Sequence, residues 1–246
     1  MIRIALAIAA LMAALVAAAA AGGAGTAAGG AVVKLKDARL KLEINATDKD
    51  GGIQVFIDAE SWKRMSIFDP NGRRIFTTTT EGRMGKQGGT ELFLESAEPT
   101  FDQLSLEALL RRFPEGVYSF RGVGLEGERY VGSGRLTHDL PDGPKLVSPH
   151  EGDKPQDPDR TVVRWRPVKP PNGSPIIGYQ VLVVQPKSGQ KALPKVRLDV
   201  TMPPTALSLA VPRGFLRPGT EYEWEVLAIE RGGNQTLSSS TFRTSR

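Results

Sequence analysis

The chain has 246 residues, enough for one large or two ordinary domains, and its 40 % hydrophobic and 24 % charged content is that of a folded, water-facing protein. It contains no cysteine and only two histidines, His138 and His150, which excludes disulfides, thiolate nucleophiles, zinc–thiolate centres and most histidine-based catalysis. The formal charge of +5 is spread over interleaved acids and bases. Its densest basic clusters are the pairs Arg73-Arg74 and Arg111-Arg112, which read as solvated surface, so no nucleic-acid partner is expected.

The first segment is a leader. Arg3 precedes an unbroken apolar run of 18 residues, Ile4 to Ala21, followed by small residues such as Ala19-Ala20-Ala21 before Gly22. That is the pattern of a cleaved export signal. More than half of the run is alanine, a poorer lipid partner than leucine, and 18 residues is marginal for spanning a bilayer. Membrane contact is therefore expected only through the leader, if it stays uncleaved. The Ala/Gly-rich stretch that follows reads as a flexible linker, residues 22–34.

From Leu35 to Pro141, short alternating runs separated by turn residues predict a β-sandwich. Leu40, Leu42 and Ile44 alternate with charges; Ile53, Val55 and Ile57 follow a predicted turn at Asp50-Gly51-Gly52. Met65 and Ile67 lead into Asp69-Pro70-Asn71-Gly72, a hairpin signal with Pro at the first corner and Gly at the left-handed position. Leu92 and Leu94 mark a further strand, and Gly116–Gly124 with Glu128–Thr137 predicts a last hairpin turning at Glu126-Gly127. One helix interrupts the strands. Leu106, Leu109, Leu110 and Phe113 form one apolar stripe, Ser105 is placed to cap it and Pro114 to stop it.

Pro141-Asp142-Gly143-Pro144 reads as a joint. Beyond it, Leu216 to Ala228 combines a Pro218-Gly219 turn with a strand. Tyr222, Trp224, Val226 and Ala228 lie on one face; Glu221, Glu223 and Glu225 lie on the other. Before it come Val147, Val163-Arg164-Trp165, the run Ile177 to Val184 with Tyr179, Val181 and Val183 on one face, and Leu207, Leu209 and Val211; Phe242 closes the set. In their order, Trp165, Tyr179, Leu216 and Tyr222 resemble the core positions of a fibronectin type III module. In that family, a tyrosine shortly after a Leu-x-Pro-Gly-Thr turn pins the corner of the sandwich. The resemblance covers about residues 144–246 and implies spacing, adhesion or docking without intrinsic chemistry. The first domain is immunoglobulin-like only in general terms.

Candidate sites are sparse. Asp48 and Asp50 beside Gly51 are similar to the opening of a calcium loop, but Lys49 and Ile53 interrupt the ligand pattern and Ala59 stands where a closing glutamate belongs, so a plain turn is the expectation. Asp58 and Glu60 have the residue types of a glycosidase pair, with nothing to fix their separation. Trp62 sits among polar residues and is assigned to the core, with sugar stacking as the alternative. His138 and His150 flank the joint and are expected to face solvent. Gly85–Gly89 lacks the Gly-Lys-Ser/Thr ending of a phosphate loop and is predicted to be a mobile loop. Asn45-Ala46-Thr47 and Asn234-Gln235-Thr236 fit the glycosylation sequon.

The sequence thus predicts an all-β protein: a signal helix (1–21), a linker (22–34), a β-sandwich with one short helix (35–141) and a fibronectin type III-like sandwich (142–246). The expected function is that of an exported, non-enzymatic binding or structural protein, secreted or periplasmic, whose partner is a protein or a glycan. No catalytic, cofactor or metal residue is assigned. Two alternatives are a carbohydrate- or calcium-binding first domain with a type III spacer, and a hydrolase in which two or more of Asp48, Asp50, Asp58, Glu60 and Glu95 share a deep pocket.

Overall fold

The structure, a computed structural model, describes residues 30–185 and 197–246. The leader and most of the linker lie outside the described residues. The chain divides into two compact units. Among the described residues, one comprises 30–39, 55–95 and 118–134; the other comprises 40–54, 96–117 and 135–246.

In the first unit the long strand β3 (Asp50–Phe68) is central, through its residues from Val55 onward. Strand β4 (Arg74–Thr79) pairs antiparallel with one side of β3 and β6 (Gly116–Gly124) with the other. Strand β5 (Gly89–Glu95) also pairs with β3. The β3–β4 hairpin turns where predicted: Asp69 Oδ1 accepts from the Asn71 and Arg73 amides at 2.9 and 2.8 Å, and Gly72 takes φ 77°. Alternate residues Ile57, Met65 and Ile67 of β3 and Tyr118 and Phe120 of β6 are buried, as period-two burial requires. Strand β7 (Arg129–Leu136) follows the turn at Gly127. Val32–Lys34, at the end of the stretch read as linker, forms β1 and pairs parallel with Arg129–Val131.

Gly85–Gly89 is not a mobile loop. Met84–Gln87 makes one helical turn, α1, closed by the Gly88 amide on the Met84 carbonyl at 2.7 Å. A single turn is too short to register as periodicity. Its glycines serve packing: a Cβ on Gly89 would stand 2.6 Å from the Trp62 ring.

Burial, with the Asp69 charge adding to it, pushes the Tyr118 hydroxyl from 10.0 up to about 12. The protonated form is therefore favoured in the folded state. Its contribution to stability is complete below pH 10 and lost as pH rises through about 12. Denaturation followed across this window should show an alkaline loss that Tyr118→Phe reduces.

In the second unit, two sheets enclose one core. The larger joins β11 (Arg197–Met202), β10 (Ile176–Val184), β13 (Glu221–Glu230) and β14 (Gln235–Arg243), all antiparallel. The smaller joins β12 (Ser208–Ala210), β9 (Val162–Trp165) and β8 (Leu146–Ser148). Between them lie Trp165, Tyr179, Val181, Val183, Val211, Leu216, Tyr222, Trp224, Val226 and Phe242. The alternation in β13 predicted its inward face correctly. Strand β10 is buried on its reverse face too, at Leu182 and Val184, consistent with its unbroken apolar ending.

The corner forms as the resemblance implied. The Arg217 amide donates to the Tyr222 hydroxyl at 2.8 Å. Tyr222→Phe leaves that amide without its partner and should cost about 1 kcal/mol, read as a lower urea midpoint with an unchanged m-value.

One feature of this unit was not predicted. Strand β2 (Asp37–Asn45) lies parallel to the start of β14, with Glu43, Ile44 and Asn45 opposite Gln235, Thr236 and Leu237. The chain then turns at residues 46–49, not at Asp50-Gly51-Gly52, which open β3. Asn45 builds this turn: its Oδ1 accepts from the Thr47 and Asp48 amides, both at 3.0 Å, and Lys49 takes φ 55°. Helix α2 (Leu106–Arg112) occupies the predicted place, with Ser105 Oγ accepting from the Ala108 amide and Leu109 buried.

Candidate interaction surface

The singled-out acidic residues have local roles. Asp48 accepts from the Asn45 side chain at 3.1 Å, and Asp50 is buried at the start of β3. Glu60 is exposed and pairs with Lys36 at 2.8 Å; the hydrogen bond from that ammonium to Glu60 holds the lysine pKa above its usual value. Trp62 is buried at 4 % exposure, which counts against sugar stacking on its ring. His138 is half-buried, not solvent-facing, because its Nε2 lies 2.8 Å from the Phe113 carbonyl and its amide donates to Glu115. His150 is exposed.

The two sequon asparagines also differ from a free acceptor. Asn234 is buried at 1 %. Its Oδ1 accepts from the Leu42 amide at 2.9 Å, while Nδ2 donates to the Thr137 carbonyl, the Thr137 hydroxyl and the Asp139 carbonyl. Asn45 is committed to its turn on both side-chain atoms.

What the sequence did not assemble is a basic sheet face in the first unit. Strand pairing sets Ser66 opposite both Thr77 and Arg121, Phe68 opposite Arg74, and Arg64 opposite Val123 and Thr79. Arg64, Arg74 and Arg121, with Ser66, Phe68 and Thr77, line an open cavity of about 250 Å³. The Arg121 guanidinium lies over the Phe68 ring, 4.9 Å from its centre, a cation–π contact. The Ser66 and Thr77 hydroxyls share a hydrogen bond at 2.7 Å. Arg64 and Arg74 stand on the two arms of the β3–β4 hairpin, and Arg121 joins them from β6, dozens of residues further along the chain, so only the register groups all three. None of Asp48, Asp50, Asp58, Glu60 and Glu95 lines this cavity.

Among the described residues, strands β8 to β14 and their shared core define a two-sheet sandwich. Residues 153–244 match the Fibronectin type III domain family, and the chain therefore contains a domain of that family. Similar solved structures include the fibronectin(III)-like modules of Clostridium thermocellum CbhA, at 12 % identity and TM-score 0.35 over 86 % of this chain and 93 % of that one. The FN1-FN3 domains of chicken CNTN1 match at 14 % identity and TM-score 0.33, over 88 % of this chain and 66 % of that one. A tetra-tandem repeat from the extending region of a large adhesion protein matches at 14 % and 0.28, over 83 % and 48 %. No curated protein matches.

Proposed function

We propose that the chain is an exported, non-enzymatic binding protein, secreted or periplasmic, whose β-sandwiches present rigid surfaces to a protein or glycan partner. The observation that supports this most is the fibronectin type III domain with its filled core and pinned corner, a type of module that typically serves structure and not catalysis. Its rigidity suits docking, because a surface fixed in advance loses little conformational entropy on binding. The leader supports export through its charge, apolar length and small-residue ending.

Fractionation of expressing cells tests the location: the chain should leave the cytosol and shorten near Ala21, and deletion of residues 2–21 should retain it inside. Capture experiments with the exported chain test the docking. A reproducible partner is expected; recovery of none from either surface extracts or glycan preparations would remove the reading.

A further inference from the structure

We propose that the sheet face formed by β4, β3 and β6 binds an acidic polysaccharide, with Arg64, Arg74 and Arg121 holding its carboxylate or sulfate groups. This rests on the docking function above and names its ligand class and site.

The first argument is charge. All three side chains are exposed, and among the described residues none of them forms an ion pair. Their guanidinium donors are available, and the planar fork suits carboxylate and sulfate oxygens. The second is spacing. Arg74 stands opposite Phe68, four residues along β3 from Arg64, which is about 13 Å at the rise of a strand. Side chains rooted so far apart suit a chain of repeated anionic groups better than one small oxyanion.

The third argument separates a glycan from an acidic peptide. Strand β3 is paired on both sides here, with β4 and β6, so over the middle of this face a ligand meets side chains and no open backbone ladder. Among the described residues β4 pairs with β3 alone, and the polyglutamate arm of the test below separates a peptide added at that edge from a glycan laid across the face. Beside the guanidinium groups stands the exposed Thr77 hydroxyl, held by its hydrogen bond with the buried Ser66 hydroxyl and still able to exchange a further bond with a sugar hydroxyl. Phe68 adds an apolar floor and keeps the Arg121 plane in place.

The test uses the exported chain on immobilised polygalacturonate and dextran sulfate, with neutral dextran, polyphosphate and polyglutamate as further arms. Retention on the two acidic glycans above all other arms is expected. The triple variant Arg64→Gln, Arg74→Gln, Arg121→Gln should bind them at least about tenfold more weakly, since loss of even one charge-assisted contact reaches that size. The control triple Arg166→Gln, Arg213→Gln, Arg231→Gln removes equal charge from exposed positions of the second unit and should bind as the parent does. Should the site triple fold poorly by circular dichroism, the double variant Arg64→Gln, Arg74→Gln, which leaves the Arg121–Phe68 contact, replaces it with the same expected loss.

Equal loss in the control triple means diffuse charge attraction and overturns the site. Absence of retention on either acidic glycan, or equal or better retention on polyphosphate or polyglutamate, overturns the ligand class. A chain that ignores acidic glycans yet keeps a captured partner loses this site while the docking function stands.

Discussion

Trp224→Ala is expected to remove about 3–5 kcal/mol of stability, the range for truncating a large buried aromatic. That is enough to leave much of a marginally stable chain unfolded. Trp224 is fully buried on β13, opposite Val183 of β10 and Ser240 of β14, within the core that both sheets of the second unit share. The truncation opens a cavity that the close-packed neighbours cannot fill. It also strands a polar group: the indole Nε1 donates to the Pro149 carbonyl at 3.0 Å in a buried setting, and nothing in alanine replaces that donor. Trp224→Phe separates the two effects. It retains most of the volume but not the donor, and should cost clearly less than alanine. Urea denaturation of all three proteins, monitored by far-ultraviolet circular dichroism, reads the series. A Trp224→Ala midpoint close to the parent's would mean that this side chain does not occupy the core.

The inward face of β13 was legible in the sequence because one physical cause set it. Turn chemistry at Pro218-Gly219 starts the strand, and Tyr222, Trp224, Val226 and Ala228 then need the same side of the sheet. Ser105 and the Leu106–Phe113 stripe are equally local, and so is the Asp69 hairpin. The β2–β14 contact was not legible. It pairs residues 192 positions apart, and the strand periodicity of each segment is satisfied without saying which other strand lies beside it. The misplaced turn before β3 has a nearer cause. Asp-Gly-Gly is strong turn chemistry, but the Asn45 side chain had already satisfied the backbone amides of a turn four residues earlier, leaving Asp50–Gly52 free to extend. The arginine face failed in part for the same reason: Arg64 and Arg74 share the legible Asp69 hairpin, but Arg121 reaches them only through the pairing of β3 with β6, which neither strand's periodicity specifies.

The strongest test of that unpredicted pairing is Asn234. Its side chain bonds Leu42 on β2 and reaches Thr137 and Asp139 from the same buried position, while its amide donates to the Glu230 carboxylate at 3.0 Å. Asn234→Ala leaves a buried Leu42 amide and the carbonyls of 137 and 139 without this partner. At about 1–3 kcal/mol for the unsatisfied buried Leu42 amide, with smaller additions from the part-buried Thr137 and Asp139 carbonyls, a total loss of about 2–3 kcal/mol is expected. Asn234→Asp keeps the acceptor for Leu42 but turns an oxygen toward two carbonyls where a donor stood. At neutral pH it should be no better than alanine. Protonation restores a donor, so the folded state favours the protonated acid and raises its pKa above the unfolded value. The benefit is present at low pH and lost as pH rises through the raised folded value. Compared with the parent at each pH, Asn234→Asp should therefore recover stability toward about pH 4, whereas Asn234→Ala should not. Hydrogen exchange gives the local readout: the Leu42 amide, and the Ala46 amide that donates to the Leu237 carbonyl at 2.9 Å, should lose protection before the Val181 and Val226 amides in the centre of the larger sheet. Uniform loss across all four would place Asn234 in the general stability of the sandwich and not in the attachment of β2 to its edge.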